Sequence, residues 1–125
     1  MKYACLVYFE ETTMDEMSAS DAESLRGECE SYRDGLEKKG VHITSAALQP
    51  IETATTVRLR NGKVSTTDGP FAETKEQLGG FYLIDAENLN HAIEIASRIP
   101  PARLGSIEIR PVRDLTQPWR RPGSA

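Results

Sequence analysis

The chain is poor in the residue types that usually announce a reaction. Its 125 residues include two cysteines, Cys5 and Cys29, and two histidines, His42 and His91. Two cysteines outside any CxxC pairing are too few for a disulfide framework. The histidines stand far apart in no HExxH-type spacing, which argues against a dedicated zinc or other metal site. Phosphate-binding glycine loops are also missing, so no cofactor is expected. Positive charge is short: fifteen basic residues against nineteen acidic ones give a net charge of −4. Such a chain has no basic footprint for a nucleic-acid backbone. Aromatics are only 6% of the residues, so aliphatic side chains must supply the core. No apolar run approaches the roughly 18 residues of a membrane-spanning helix. The opening run from Met1 to Phe9 breaks at Glu10-Glu11 with no small-residue cleavage site, so no signal peptide is expected. The expected location is the cytoplasm, with no membrane partner.

What is present suits a single globular domain. Hydrophobic residues make up 38% of the chain and charged residues 27%, which is too apolar for a disordered chain. A domain of this size buries about two-thirds of the surface its unfolded chain exposes, enough for a core without metal or disulfide help. Residues 1–113 are read as the domain and residues 114–125 as a Pro/Arg tail carrying Trp119, Arg120 and Arg121.

Hydrophobic periodicity divides the domain into elements. Residues 3–9 alternate and read as a strand. Residues 10–19 are a polar connector. Ser20-Asp21-Ala22-Glu23 matches a capping box, in which Ser and Glu side chains satisfy free amides at a helix start. Ala22, Leu25, Cys29, Tyr32 and Leu36 then form one helical stripe, and Gly40 ends the helix. Val41-His42-Ile43-Thr44 reads as a second strand with Val41 and Ile43 on one face. Thr53 to Arg60 and Lys63 to Thr67 flank Asn61-Gly62, the strongest short signal for a β-hairpin. Residues 80–85 are a near-continuous apolar strand. Asn88 caps a second helix with Leu89, Ala92, Ile93, Ala96 and Ile99 as its stripe, and Pro100-Pro101 ends it. Residues 106–110 alternate as a last strand. The order β-α-β, hairpin, β-α-β predicts an α+β fold: a ferredoxin-like antiparallel sheet with two helices on one face and an inserted β-hairpin. Strands 3–9 and 80–85 look apolar on both faces, so a homodimer is expected to cover the open one.

The segment from Asp68 to Gly80 carries the most information. Asp68-Gly69-Pro70 is turn chemistry, and Phe71 is a lone aromatic expected to anchor the loop in a pocket. Glu73, Lys75 and Glu76 concentrate charge, and Gly79-Gly80 allow close backbone approach before a central strand. The run TTDGPFAETKEQLGGFYLIDA resembles the DGPF motif of the YCII-related (DGPF-domain) family. The opening MKYACLVYF, the stretch QPIETATTVRLRNGKV and the ending SIEIRPV resemble it in order and spacing, over residues 1 to about 113.

The resemblance implies a ferredoxin-like fold and a dimeric α+β barrel with a cleft. It implies a small-molecule ligand there, with isomerase- or lyase-like activity. The alternative it implies is a non-catalytic accessory module associated with an extracytoplasmic-function sigma factor. Some members of the family carry a His–Asp pair in the cleft. Here Cys29 stands about where that histidine would be, and Ile99-Pro100-Pro101 replaces the acidic partner, so the dyad is not carried over.

The candidate substrate-binding residues are therefore Asp68, Phe71, Glu73, Lys75, Tyr82 and Arg58, with catalytic residues unassigned. Each has a plainer reading beside the functional one. Asp68 bonds its own backbone in a turn. Glu73 caps a short helical turn. Lys75 holds an anion, or pairs with Glu73 or Glu76 at the surface. Tyr82, like Tyr8, lines a cleft or fills core. Arg58, like Arg60, clamps a carboxylate or decorates a solvated strand face. Cys29 packs in the core, with no histidine near it in sequence to activate it.

Overall fold

The computed structural model describes residues 1–123; Ser124 and Ala125, the last two residues of the expected tail, lie outside the described residues. The chain runs β1 (Lys2–Phe9), α1 (Glu11–Asp15), α2 (Ala19–Lys38), β2 (His42–Ala47), β3 (Thr55–Arg60), β4 (Lys63–Asp68), β5 (Gln77–Asp85), α3 (Leu89–Ser97) and β6 (Gly105–Pro111). Short 3₁₀ turns at Ile51–Thr53 and Pro100–Arg103 punctuate it. Four strands form one antiparallel sheet in the order β2-β5-β1-β6, and β3-β4 form a separate two-stranded arm. This is the ferredoxin-like α+β plan with an inserted hairpin. No helix among the described residues is long and apolar enough to cross a membrane.

The core lies between one sheet face and the two long helices. Tyr3, Cys5 and Val7 of β1 and Ile84 of β5 pack against Leu36 of α2 and Ala92, Ile95 and Ala96 of α3, with Ile99 just beyond. The α3 stripe is rotated from the expected one. Ile95 is buried, whereas Leu89 and Ile93 are exposed. Both sets step by three or four residues, so periodicity alone cannot choose between neighbouring faces.

The start of α2 also differs from its sequence signature. Ser18, not Ser20, is the cap, and its hydroxyl accepts from the Asp21 amide at 3.0 Å. The upstream connector is not merely polar, because its first half is the helix α1. The Glu11 carboxylate at the head of α1 accepts from the Ile51 amide at 3.0 Å, tying α1 to the β2–β3 connection.

Two irregularities shape the sheet. In β1–β5 the register shifts between Val7 and Tyr8, leaving Gly79 unpaired opposite them. A Cβ on Gly79 would enter the Phe9 ring, and one on Gly80 would lie 2.8 Å from the Ala46 carbonyl oxygen, so this close approach needs glycine. In β2–β5 the register shifts between His42 and Thr44. Ile43 is the extra residue and turns outward, while Val41 packs against the core. The expected sharing of one face by Val41 and Ile43 is thereby broken by a β-bulge.

The arm follows its sequence pattern closely. Asn61 and Gly62 take φ of 52° and 75°, as a two-residue type I′ turn requires. Its burial is inverted, however. Val57, Leu59 and Val64 share the more exposed face, at 63%, 61% and 69%, while Thr56 and Arg58 on the other face are half-buried.

Capping separates two neighbouring serines. Ser18→Ala is expected to cost about 1 kcal/mol in urea unfolding, and Ser20→Ala close to nothing. Equal effects would place the helix start at Ser20.

Candidate functional site

Between α1, α2 and the β2-β5-β1 side of the sheet lies a cavity of about 420 Å³. Its walls are mostly apolar. Val7 and Phe9 come from β1, Met14 and Met17 from α1 and the turn after it, Leu25 from α2, and Leu48 from just after β2. Methionine suits such a wall because its flexible thioether adapts to varied shapes. The polar groups are few: Arg26, Cys29, Glu30 and Arg33 from one side of α2, with Ser45 and Tyr82 from the sheet. An apolar pocket with a few gathered polar groups is the usual anatomy of a small-molecule site.

The four α2 residues meet the cavity because 26, 29, 30 and 33 are spaced by three and four along one helical face. The two arginines differ in how firmly they are held. Arg26 is clamped by Glu23 and by Glu30, the latter at 2.6 Å. Arg33 has only loose contacts, 3.7 Å to Asp34 and 3.8 Å to Glu37. It is the cation with more freedom to meet an anionic ligand. Burial holds the Cys29 thiol above its ordinary pKa, reinforced by Glu28 and opposed by Arg103. Burial also pushes the Tyr82 phenol up to about 12, so it remains a neutral O–H donor at any physiological pH. It makes no hydrogen bond with another described residue.

Tyr82 stands directly opposite Ser45 in the β2–β5 ladder. Ser45 Oγ lies 2.8 Å from His42 Nε2, and His42 Nδ1 lies 3.9 Å from the Glu37 carboxylate. The His42 side chain is only 10% exposed, and its ring meets Tyr82 edge-on, with centroids 6.4 Å apart. Residues three apart on a regular strand point to opposite faces. The Ile43 bulge is what brings His42 and Ser45 to the same side. A bulge leaves no strong mark in composition, so the sequence pattern HITS does not reveal this pair. Met14 and Met17 were likewise hidden in a stretch that reads only as a connector.

Of the six candidates from the sequence, Tyr82 alone lines this cavity. Asp68 ends β4 and is exposed, with no hydrogen bond from its side chain to its own backbone among the described residues. The turn is instead held by the Gly69 amide, which donates to Ala54 O at 2.7 Å, and by Thr56 Oγ1, which donates to Gly69 O at 2.8 Å. Phe71 does not anchor the loop in a pocket. It is 81% exposed, because the bends around it bring no apolar partner over the ring. Glu73 is exposed and caps no helical turn, since no helix forms there. Lys75 pairs with Glu10 at 3.6 Å rather than with Glu73 or Glu76, because the loop passes beside the end of β1. Arg58 sits half-buried on the arm without an ion pair among the described residues.

The fixed part of the segment is its second half. Thr74 Oγ1 donates to Glu76 O at 2.6 Å, Gln77 Nε2 donates to Thr74 O at 2.8 Å, and Ser106 Oγ donates to Glu76 Oε1 at 2.7 Å. Gln77 Oε1 accepts from the Glu11 amide at 3.0 Å. These bonds join the loop to α1 and β6 and lead it into β5. Cys29, about where the resemblance sets the family's histidine, is half-buried at the cavity, and Ile99, at the place of the expected acidic partner, is fully buried in the core.

Comparison with known proteins agrees with the motif. The YCII-related domain matches residues 1–116. An uncharacterised protein of Rhizobium meliloti (strain 1021) is 37% identical over 114 residues, covering 90% of this chain and 92% of that protein. On the fold, the motif and these matches together, the chain belongs to the YCII-related domain family.

Proposed function

We propose that this protein binds a small, largely apolar molecule bearing one anionic or hydrogen-bond-accepting group, and does so as a homodimer. The observation that carries the ligand reading is the cavity under α2. Its volume of about 420 Å³ suits a small organic molecule, and its apolar walls surround a few polar groups. Apolar walls would supply most of the affinity. Arg33 and the Tyr82 phenol would orient an acidic group or carbonyl, since both have donors to spare. The loop around Asp68, Phe71 and Glu73 lies outside this cavity and serves it through β5, whose start it secures.

The dimer reading rests on two uncovered surfaces. The helices occupy one face of the sheet, and on the other Ala4, Leu6, Tyr8, Phe81 and Leu83 remain only half-buried. The apolar face of the arm, with Val57, Leu59 and Val64, is exposed as well. A second copy offers the same surfaces and closes them by symmetry.

Two measurements test these readings. In a thermal-shift panel of short aliphatic and aromatic carboxylic acids and their esters, at least one compound is expected to raise the melting temperature. Ala47→Trp, which fills the cavity wall, is expected to abolish the shift, and Arg33→Gln to weaken acids about tenfold more than esters. A flat panel, or shifts unchanged in Ala47→Trp, would remove the cavity as the site. In light scattering the protein is expected at twice 13.8 kDa, and Leu59→Arg is expected to shift it toward monomer with its circular dichroism unchanged. A wild-type monomer at micromolar concentration contradicts the dimer.

A further inference from the structure

Glu37, His42 and Ser45 lie within one short stretch of chain, at the corner where α2 gives way to β2. Glu37 is in the last turn of the helix, and the chain reverses through Gly40, at φ 73°. The bulge at Ile43 then sets His42 and Ser45 on the same face. The result is a line of three groups: carboxylate, imidazole and hydroxyl, at 3.9 Å and 2.8 Å. The hydroxyl end opens on the cavity, while the imidazole is almost wholly covered. A hydroxyl bonded to an imidazole that is itself steered by a carboxylate is the arrangement that activates a serine nucleophile. Catalytic contacts are commonly loose without substrate, so a 3.9 Å separation at the acid end is compatible with the role.

We propose that Ser45 is a nucleophile for acyl transfer, acting with His42 on esters or thioesters whose apolar acyl group fills the cavity. This rests on the reading that the cavity binds a small apolar molecule. Ser45 Oγ attacks the carbonyl carbon as its proton passes to His42 Nε2, and the C=O electron pair moves onto the oxygen. The tetrahedral intermediate collapses. The bond to the alcohol or thiol breaks, and that group leaves with the proton from His42. Water then attacks the acyl-serine, giving its proton to His42. The second intermediate releases the carboxylic acid, and Ser45 recovers its proton. No oxidant or cofactor enters. Glu37 is a positioning residue that holds the imidazole. Tyr82, opposite Ser45 with its phenol unengaged among the described residues, is assigned as donor to the developing oxyanion.

The test is covalent labelling with a fluorophosphonate probe, read by intact mass and peptide mapping, alongside turnover of p-nitrophenyl butyrate. The wild type is expected to gain one adduct, on Ser45. Ser45→Ala is expected to lose both adduct and turnover while keeping its fold by circular dichroism. His42→Ala should slow labelling by about 100-fold or more, the usual contribution of a general base. Glu37→Gln should lower kcat about tenfold at unchanged KM, with partial rescue in Glu37→Asp. A wild type that binds a cavity ligand but takes no adduct overturns the nucleophile and leaves the binding reading intact. An adduct formed equally in Ser45→Ala overturns it too. An adduct on Ser45 with no ligand shift in any compound supports the nucleophile and counts against the proposed ligand class alone.

Discussion

β5 is hydrogen-bonded along both edges, to β1 and to β2, and the polar groups that the sheet brings to the cavity take their places from that double pairing. Its register with β1 places Tyr82 beside Cys5 in the core layer. Its register with β2 places the same residue opposite Ser45. A side chain on Gly80 would press on the Ala46 carbonyl across the β2–β5 pairing, and one on Gly79 would displace the Phe9 ring. The glycines at the end of the segment from Asp68 to Gly80 therefore act on the sheet. They allow a central strand to be approached from both sides, and that strand then aims Tyr82. Buried backbone groups must find partners, so a strand paired on both sides is also the most firmly fixed part of such a sheet.

The motif segment takes a supporting role in this view. Its charged and aromatic residues at 71–75 are exposed, while Thr74, Glu76 and Gln77 form a chain of side-chain bonds to α1 and β6. Through Glu11 the same network reaches the β2–β3 connection. The floor of the cavity, the helix that brings Met14 to it and the start of the arm are thus held by one set of polar contacts. Loops of this kind often carry function directly; here the loop's side-chain bonds secure the start of β5.

Most of the fold was legible because strands and helices declare themselves by period. Asn61-Gly62 marked the hairpin, and Asn88 marked the start of α3, where its side chain accepts from the His91 amide at 2.9 Å. What escaped has physical reasons. The bulge at Ile43 inserts one residue without changing composition, so the strand seemed to place Val41 with Ile43 and concealed His42 beside Ser45. Ser18 and Ser20 both precede acidic residues by suitable intervals, and only the backbone geometry selects Ser18. Phe71 looked like an anchor because a lone aromatic in a polar loop usually needs cover, and a single chain supplies none. Tyr82 was legible as a cleft residue from its place on a central apolar strand. The α2 contributors Arg26, Glu30 and Arg33 were not, because charged residues on a helix read as solvated face until a neighbour is seen to curve over them.

The central claim is that ligand meets this protein under α2, at Ser45, Cys29 and Tyr82, and not at the loop from Asp68 to Lys75. Titration of the ¹⁵N-labelled protein with hexanoate, followed by amide chemical shifts, separates the two places directly. Perturbations that saturate and centre on residues 26–33, 45–48 and 79–82 are the expected result. Perturbations centred on residues 68–75, with the α2 and β2 amides unmoved, would contradict it.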